Sequence, residues 1–178
     1  MKLDQVIDGP HLQLRTATAD DAGFILDLRL DPVLSKHIGE TDPSVEKQRI
    51  WLQERMDMKD DYHMIIETPD GEPLGLIALY NIDTQDKTFE WGRWIVKPTA
   101  PKYTAVESAL LCYGLGFEFL GLEKSVFGVM KDNARTLSFH KKFGASLTHE
   151  ETDSIWFEFT KTDFKAVTKK FSRFVKSH

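Results

Sequence analysis

The residues best placed to act together on a ligand lie between Phe89 and Ala145. A strand from Phe89 to Val96 leads through a turn carrying Pro98 and Pro101 into an amphipathic helix. A second strand follows, and then a helix that opens at Asp132-Asn133-Ala134-Arg135. This order sets the N-terminus of a helix beside a gap between two strands. The first amides of a helix lack intrahelical partners and sit at the positive end of its dipole, so they bind phosphate. The gap next to them suits the rest of an elongated ligand that ends in a reactive group. No other part of the chain carries a competing catalytic signature.

The flanking elements are legible from periodicity. His11 to Thr16 alternate as a first strand, with Leu12 and Leu14 on one face. Thr18 and Asp21 form a near capping box for a helix carrying Ala22, Ile25, Leu26 and Leu28, which Asp31-Pro32 ends. An irregular polar stretch from Leu34 to Pro43 precedes a second helix, Ser44 to Asp57, with Ile50, Leu52 and Met56. Met64 to Glu67 and Leu74 to Tyr80 read as a hairpin around Pro69-Asp70-Gly71-Glu72, and Asp83 to Asp86 turn into the Thr88 to Val96 strand. Helix three spans Thr104 to Leu120, with Val106, Ala109, Leu110, Tyr113, Phe117 and Leu120 at core spacing and Gly121 as its stop. After the strand Ser125 to Met130 comes a helix from Asp132 to Phe143, closed by Gly144. A hairpin follows from Ser146 to Thr160, then a last helix capped by Thr162 or Asp163 with Phe164, Val167, Phe171, Phe174 and Val175 in one stripe. The whole is an α/β domain with a mixed sheet.

Composition narrows the function classes. At 178 residues and 41% hydrophobic, with 12 Phe and 4 Trp, the chain fits one domain spanning 1–178 with a substantial core. A net charge of −5 without a basic face argues against nucleic acid. One cysteine rules out an internal disulfide framework and suits a reducing compartment. Met1-Lys2-Leu3-Asp4-Gln5 lacks the apolar run of a leader, and no stretch reaches membrane-spanning length, so a cytoplasmic chain without a membrane partner is expected. The six histidines (His11, His37, His63, His140, His149, His178) show no ligand spacing, so no metal is expected. Cys112, inside helix three without a histidine at a recognisable distance, reads as a small buried residue.

In four places the pattern resembles the GNAT superfamily of acetyl-CoA-dependent N-acetyltransferases. Leu14-Arg15 with Asp20-Asp21-Ala22 resembles its opening strand and first helix. Glu90-x-Gly92-x-Trp94-Ile95 resembles the central strand of the subgroups that acetylate protein N-termini and amino sugars. Val96 to Leu111 stands where the family has its pyrophosphate loop and helix. Asn133-Ala134-Arg135 with Phe139, Lys142, Phe143 and Gly144 resembles its penultimate helix. The resemblance implies a mixed, mostly antiparallel GNAT-like sheet flanked by helices and splayed at a cofactor cleft. It also implies acetyl-CoA as acetyl donor. Two departures stand out. The loop Lys102-Tyr103-Thr104-Ala105-Val106-Glu107 holds none of the family's glycines, so Tyr103 and Thr104 must fit around a diphosphate. His140 stands where many relatives have a tyrosine acid.

Acetyl transfer requires an amine that loses a proton, a stabilised thioester oxygen and a leaving thiol. Glu90, on the strand next to the gap and on the face opposite Trp91 and Arg93, is the candidate base; pairing with Arg93 or another strand neighbour is the alternative. His140 is the candidate acid, or else a hydrogen-bonded structural histidine. The backbone of Trp94, Ile95 and Val96 would pair with the pantetheine arm. Lys102, Tyr103, Thr104 and Ala105 would hold the diphosphate. Asn133 would either touch the coenzyme or only cap its helix. His37 and Glu40 fall where relatives bind the acceptor, and Tyr80 and Trp91 would line that side or pack in the core. The last helix's Lys165, Lys169, Lys170, Arg173 and Lys176 read as a solvated face or a site for an anionic partner, and its apolar stripe would suit a homodimer contact or its own domain. The expected reaction is N-acetylation of a primary amine, favouring a nucleotide-linked amino sugar. A protein N-terminal acetyltransferase of ribosomal-protein type, acting on a peptide amine, and a non-catalytic ligand-binding module are the rival readings.

Overall fold

The computed structural model describes Leu3 and residues 5–176. Met1, Lys2 and Asp4 of the N-terminal segment, and His178 among the histidines, lie outside the described residues. One eight-stranded sheet has the order β1-β2-β3-β4-β5-β6-β8-β7. Its strands are β1 (Ile7–Asp8), β2 (Gln13–Thr16), β3 (Asp61–Glu67), β4 (Pro73–Asp83), β5 (Thr88–Val96), β6 (Lys124–Met130), β7 (Ser146–Glu150) and β8 (Ser154–Thr160). Every neighbouring pair is antiparallel except β5 with β6. The first strand is therefore shorter than His11 to Thr16, and a two-residue strand precedes it.

Helices α1 (Ala22–Leu30) and α2 (Val45–Asp57) cover one face of the sheet. There Ala22, Ile25, Leu28 and Leu52 meet Ile65, Leu76 and Ile95. Ile50, placed with the apolar residues of α2, is exposed. Helices α3 (Thr104–Gly114), α4 (Ala134–Phe143) and α5 (Lys161–Lys170) cover the other face with the larger, aromatic cluster. Tyr113 lies at its centre, 4.4 Å from the Phe159 ring and 5.2 Å from Trp91. Each fully buried large side chain of this kind adds roughly 1.5–3 kcal/mol of transfer free energy.

Local chemistry sets the boundaries. Thr18 and Asp21 make the reciprocal capping box that opens the first helical segment, and Arg15 grips both carboxylate oxygens of Asp21 at 2.7 Å. Ser44 caps α2 through the amide of Lys47. Helix α3 passes at Leu115–Phe119 into a wider π turn, where Gly116 admits the ring of Phe89. Gly121 and Gly144 adopt positive φ of 68° and 103° as helix stops. The cap of α5 is Thr160, reciprocated by Asp163, rather than Thr162 or Asp163. The apolar stripe packs on its own domain: Phe164 and Val167 of α5, and Phe174 in the 3-10 turn Ser172–Phe174 that follows it, are buried in the aromatic cluster. Val175 is exposed and does not extend it.

Candidate active site

The two parallel strands pair only at Thr88↔Lys124 and Phe89↔Ser125. Beyond these, β6 remains paired to β8 along its whole length, and β5 to β4. From Glu90 to Val96 the β6-facing edge of β5 therefore has no ladder partner, and a cleft opens with Glu90 at its apex. Unpaired backbone N–H and C=O groups along such an edge accept an extended ligand as an added strand. Trp94, Ile95 and Val96 lie on this stretch.

A bulge shapes the middle of β5. Leu76 pairs with Ile95 and Ala78 with Gly92, so three steps on β5 match two on β4. The extra residue is Arg93, held at φ 46°. Simple alternation would set Arg93 opposite Glu90. Instead the bulge brings its guanidinium onto the Glu90 face, 4.4 Å from the ring centroid of Tyr80, the residue that pairs with Glu90. The bulge also returns Trp94 to the face of Trp91, with ring centroids 5.3 Å apart. Trp94 Nε1 donates to Ser108 Oγ at 3.3 Å, tying β5 to α3.

Glu90 is half-buried and accepts from Asn81 Nδ2 at 3.0 Å. It does not pair with Arg93, which donates twice to Asp61, at 2.9 and 2.7 Å. Asp61 is 2% exposed and also lies 3.1 Å from Arg55. Behind them, His63 is buried with neither ring nitrogen hydrogen-bonded among the described residues. Burial, reinforced by Arg93, Arg29 and Arg55, pushes its pKa down to about 3.

Two predicted site residues lie in the core, which for Trp91 is one of the two places expected. Trp91 is 4% exposed and faces the aromatic core, so it cannot share a wall with Tyr80 on the opposite face. His140 is also 4% exposed, enclosed by the rings of Phe127 (4.3 Å), Trp91 (5.4 Å) and Phe139 (5.5 Å). Its Nδ1 has no hydrogen-bond partner among the described residues, and burial pushes its pKa down to about 3. That environment favours the neutral, packed imidazole over a charged one.

At the N-terminus of α3 the glycine-free loop leaves four backbone amides without a partner among the described residues. The amides of Lys102, Tyr103, Ala105 and Val106 make no hydrogen bond among the described residues, whereas the Thr104 amide donates to Pro101 O at 2.9 Å. Thr104 is buried and contributes no free amide. The Tyr103 ring is folded away, 4.9 Å from the His11 ring and 6.4 Å from Phe174. Buried Glu107 fixes this arrangement. Its Oε1 accepts from the His11 amide at 2.7 Å and the Leu12 amide at 2.9 Å, and its Oε2 lies 2.9 Å from His11 Nδ1. Lys102 is exposed beside a groove of about 510 Å³ that Tyr103, His11 and Arg173 also line.

The other predicted residues lie at the start of α4 or in the segment between α1 and α2. Asn133 Oδ1 accepts from the Thr136 amide and caps α4. His37 Nδ1 lies 3.2 Å from Asp132, so the segment between α1 and α2 reaches across to the start of α4. Glu40, in the same segment, is exposed. Cys112 is fully buried, which pushes its thiol well up and out of reactive range. Sequence reasoning missed Asn81 as the partner of Glu90, Asp61 as the partner of Arg93, and the hold of Glu107 on His11. The signal for the bulge was Gly92 inside a strand, which marks a bulge or a close approach.

A splayed parallel pair, a bulged strand and an open helix N-terminus define a class that comparison confirms. The model of the acetyltransferase (GNAT) domain matches residues 11–146, and this chain belongs to that family of acyltransferases, whose members use acetyl-CoA. The structure of apo FdhC, described as a nucleotide-linked sugar GNAT, is 34% identical and covers 98% of this chain and 100% of its own, with a TM-score of 0.88. The Bacillus subtilis (strain 168) SPbeta prophage-derived uncharacterized N-acetyltransferase YokL is 26% identical over 137 residues, 76% of each chain. Spermidine N-acetyltransferase from Vibrio cholerae, solved with CoA and spermine, is 18% identical over 86% of this chain and 98% of its own. Its TM-score of 0.75 is a likeness of fold.

Proposed function

We propose that this enzyme transfers the acetyl group of acetyl-CoA to the primary amine of a nucleotide-linked amino sugar. The likeness over nearly the whole chain to a structure described as a nucleotide-linked sugar GNAT carries this reading. The residues suit the donor. Four open amides at the start of α3 face the place of a diphosphate, Lys102 adds charge, and the unpaired edge of β5 from Trp94 to Val96 offers strand-like hydrogen bonds to an extended arm. Acetyl-CoA supplies an activated acyl carbon and a thiol leaving group.

In this reading Glu90 takes the proton of the acceptor ammonium, directly or through water, and Asn81 orients its carboxylate. Asn133 holds the start of α4 at the far wall. His37 and Glu40 border the acceptor entrance with Tyr80 on the floor. The enzyme acts on a small molecule, with neither nucleic acid nor membrane as partner, and its single buried thiol fits a reducing cytoplasm.

The test pairs an acceptor panel with one substitution. Release of CoA thiol is followed with nucleotide-linked amino sugars, free amino sugars, polyamines and N-terminal peptides. A nucleotide-linked amino sugar is expected to give the highest kcat/KM; a peptide that exceeds it would move the assignment to protein N-termini. With the preferred acceptor, Glu90→Gln is expected to lower kcat by about 100-fold or more with little change in acetyl-CoA affinity. Full activity in the variant would remove Glu90 from the reaction.

A further inference from the structure

With His140 enclosed in the core, the leaving thiol needs another partner, and one phenol lies over the strand that borders the cleft. Tyr80 pairs with Glu90 across β4 and β5, and its ring crosses the backbone of β5. A Cβ on Gly92 would lie 2.8 Å from Tyr80 Oη and 3.6 Å from Cε1 and Cζ. The hydroxyl therefore occupies the space that any side chain at position 92 would fill. That place is two residues beyond the apex of the cleft, beside the open edge of β5. Arg93 covers the ring at 4.4 Å and is itself fastened to Asp61, so the phenol is held between a fixed cation and the strand. None of the hydrogen bonds among the described residues engages Tyr80 Oη, which leaves its O–H free to donate into the cleft.

We propose that Tyr80 is a catalytic residue that donates a hydrogen bond to the departing sulfur of the acetyl donor. This rests on the reading of acetyl-CoA as that donor. In the step, the amine nitrogen forms the new C–N bond to the acyl carbon as the C–S bond breaks and its electron pair returns to sulfur. The proton lost by the amine goes to Glu90 and then to water. Tyr80 shares its proton with the sulfur without surrendering it, and the thiolate takes its own proton from water as the product leaves. The direction of the phenol's pKa agrees. Burial, then the Glu90 carboxylate, raise it, while Arg93 opposes and Asp61 adds a smaller rise. An ordinary phenol already lies above a free thiol, at roughly 10 against 8.5. A hydrogen bond, rather than full proton transfer, is the form such a pair takes.

The measurement is the pKa of the CoA thiol bound to the enzyme, read from the ultraviolet absorbance of its thiolate, in wild type and Tyr80→Phe. A hydrogen bond to a charged group that is lost in the variant should raise the bound thiol's pKa by about 1 to 2. Affinity for desulfo-CoA, which has no sulfur, should be the same in both proteins, and kcat should fall about 10- to 100-fold. An unchanged thiol pKa in a variant that still binds CoA overturns the role of Tyr80 alone. Failure of the wild-type enzyme to bind CoA overturns the donor reading itself, and this role with it.

Discussion

Acidification from pH 7 to pH 4.5 is expected to destabilise this protein steeply, and His63 and His140 are the reason. Burial pushes both pKa values down to about 3 in the folded chain, whereas an unfolded histidine titrates near 6.5. The folded state therefore stays unprotonated where the unfolded state takes up a proton at each site. Their contribution is fully present above pH 6.5 and is lost as the pH falls from 6.5 toward about 3. Within that window each histidine adds a slope of up to about 1.4 kcal/mol per pH unit, and the pair about 2.7. A stability margin of roughly 5–15 kcal/mol is consumed within a few pH units at that rate. Urea unfolding at pH 7, 6, 5 and 4.5 measures the slope. His140→Phe should halve it. At pH 7 the same substitution should hold or raise stability by about 1 kcal/mol, because it removes an unpartnered buried nitrogen. A slope unaffected by His140→Phe would mean that the imidazole is not enclosed as described.

The second large effect is expected at Asp61. This carboxylate, 2% exposed, receives Arg93 and Arg55 beside the buried His63. Asp61→Ala removes the negative charge that Arg93 and Arg55 share and leaves the two guanidiniums next to each other without it. Breaking a buried pair from one side costs about 3–5 kcal/mol. The double substitution Asp61→Leu with Arg93→Leu should be less destabilising than the sum of the single ones, since it removes both members of the pair. Urea midpoints for the two single variants and the double one measure this coupling. Strict additivity would contradict it.

Local elements were readable wherever a residue's own chemistry decides. Thr18 with Asp21, Ser44, Gly121 and Gly144 bound their helices as capping and left-handed geometry require, and the central strand runs from Thr88 to Val96 as its alternation indicates. The splay between β5 and β6 was expected from resemblance alone and is a property of the pairing. What could not be read depends on register. Alternation assigns each strand residue to a face only while the count holds, and the bulge at Arg93 breaks it. Whether the aromatic residues face the cleft or the core also depends on packing that no short window contains. Trp91 and His140 went to the core for that reason, and Tyr80 lies over β5 because Gly92 leaves it room. The glycine-free loop gave the opposite lesson. Its amides are open because Glu107 and His11, almost a hundred residues apart, hold Tyr103 aside.

The most direct test of the central claim, that these amides still bind a diphosphate, is a calorimetric titration with CoA and with pantetheine, which lacks the diphosphate and nucleotide. The account predicts CoA binding with a Kd of about 1–100 μM, within the range usual for enzyme substrates, and pantetheine binding at least 100-fold weaker. Equal affinity for the two, or no heat with CoA at any concentration up to 1 mM (about the upper end of that range), would contradict it.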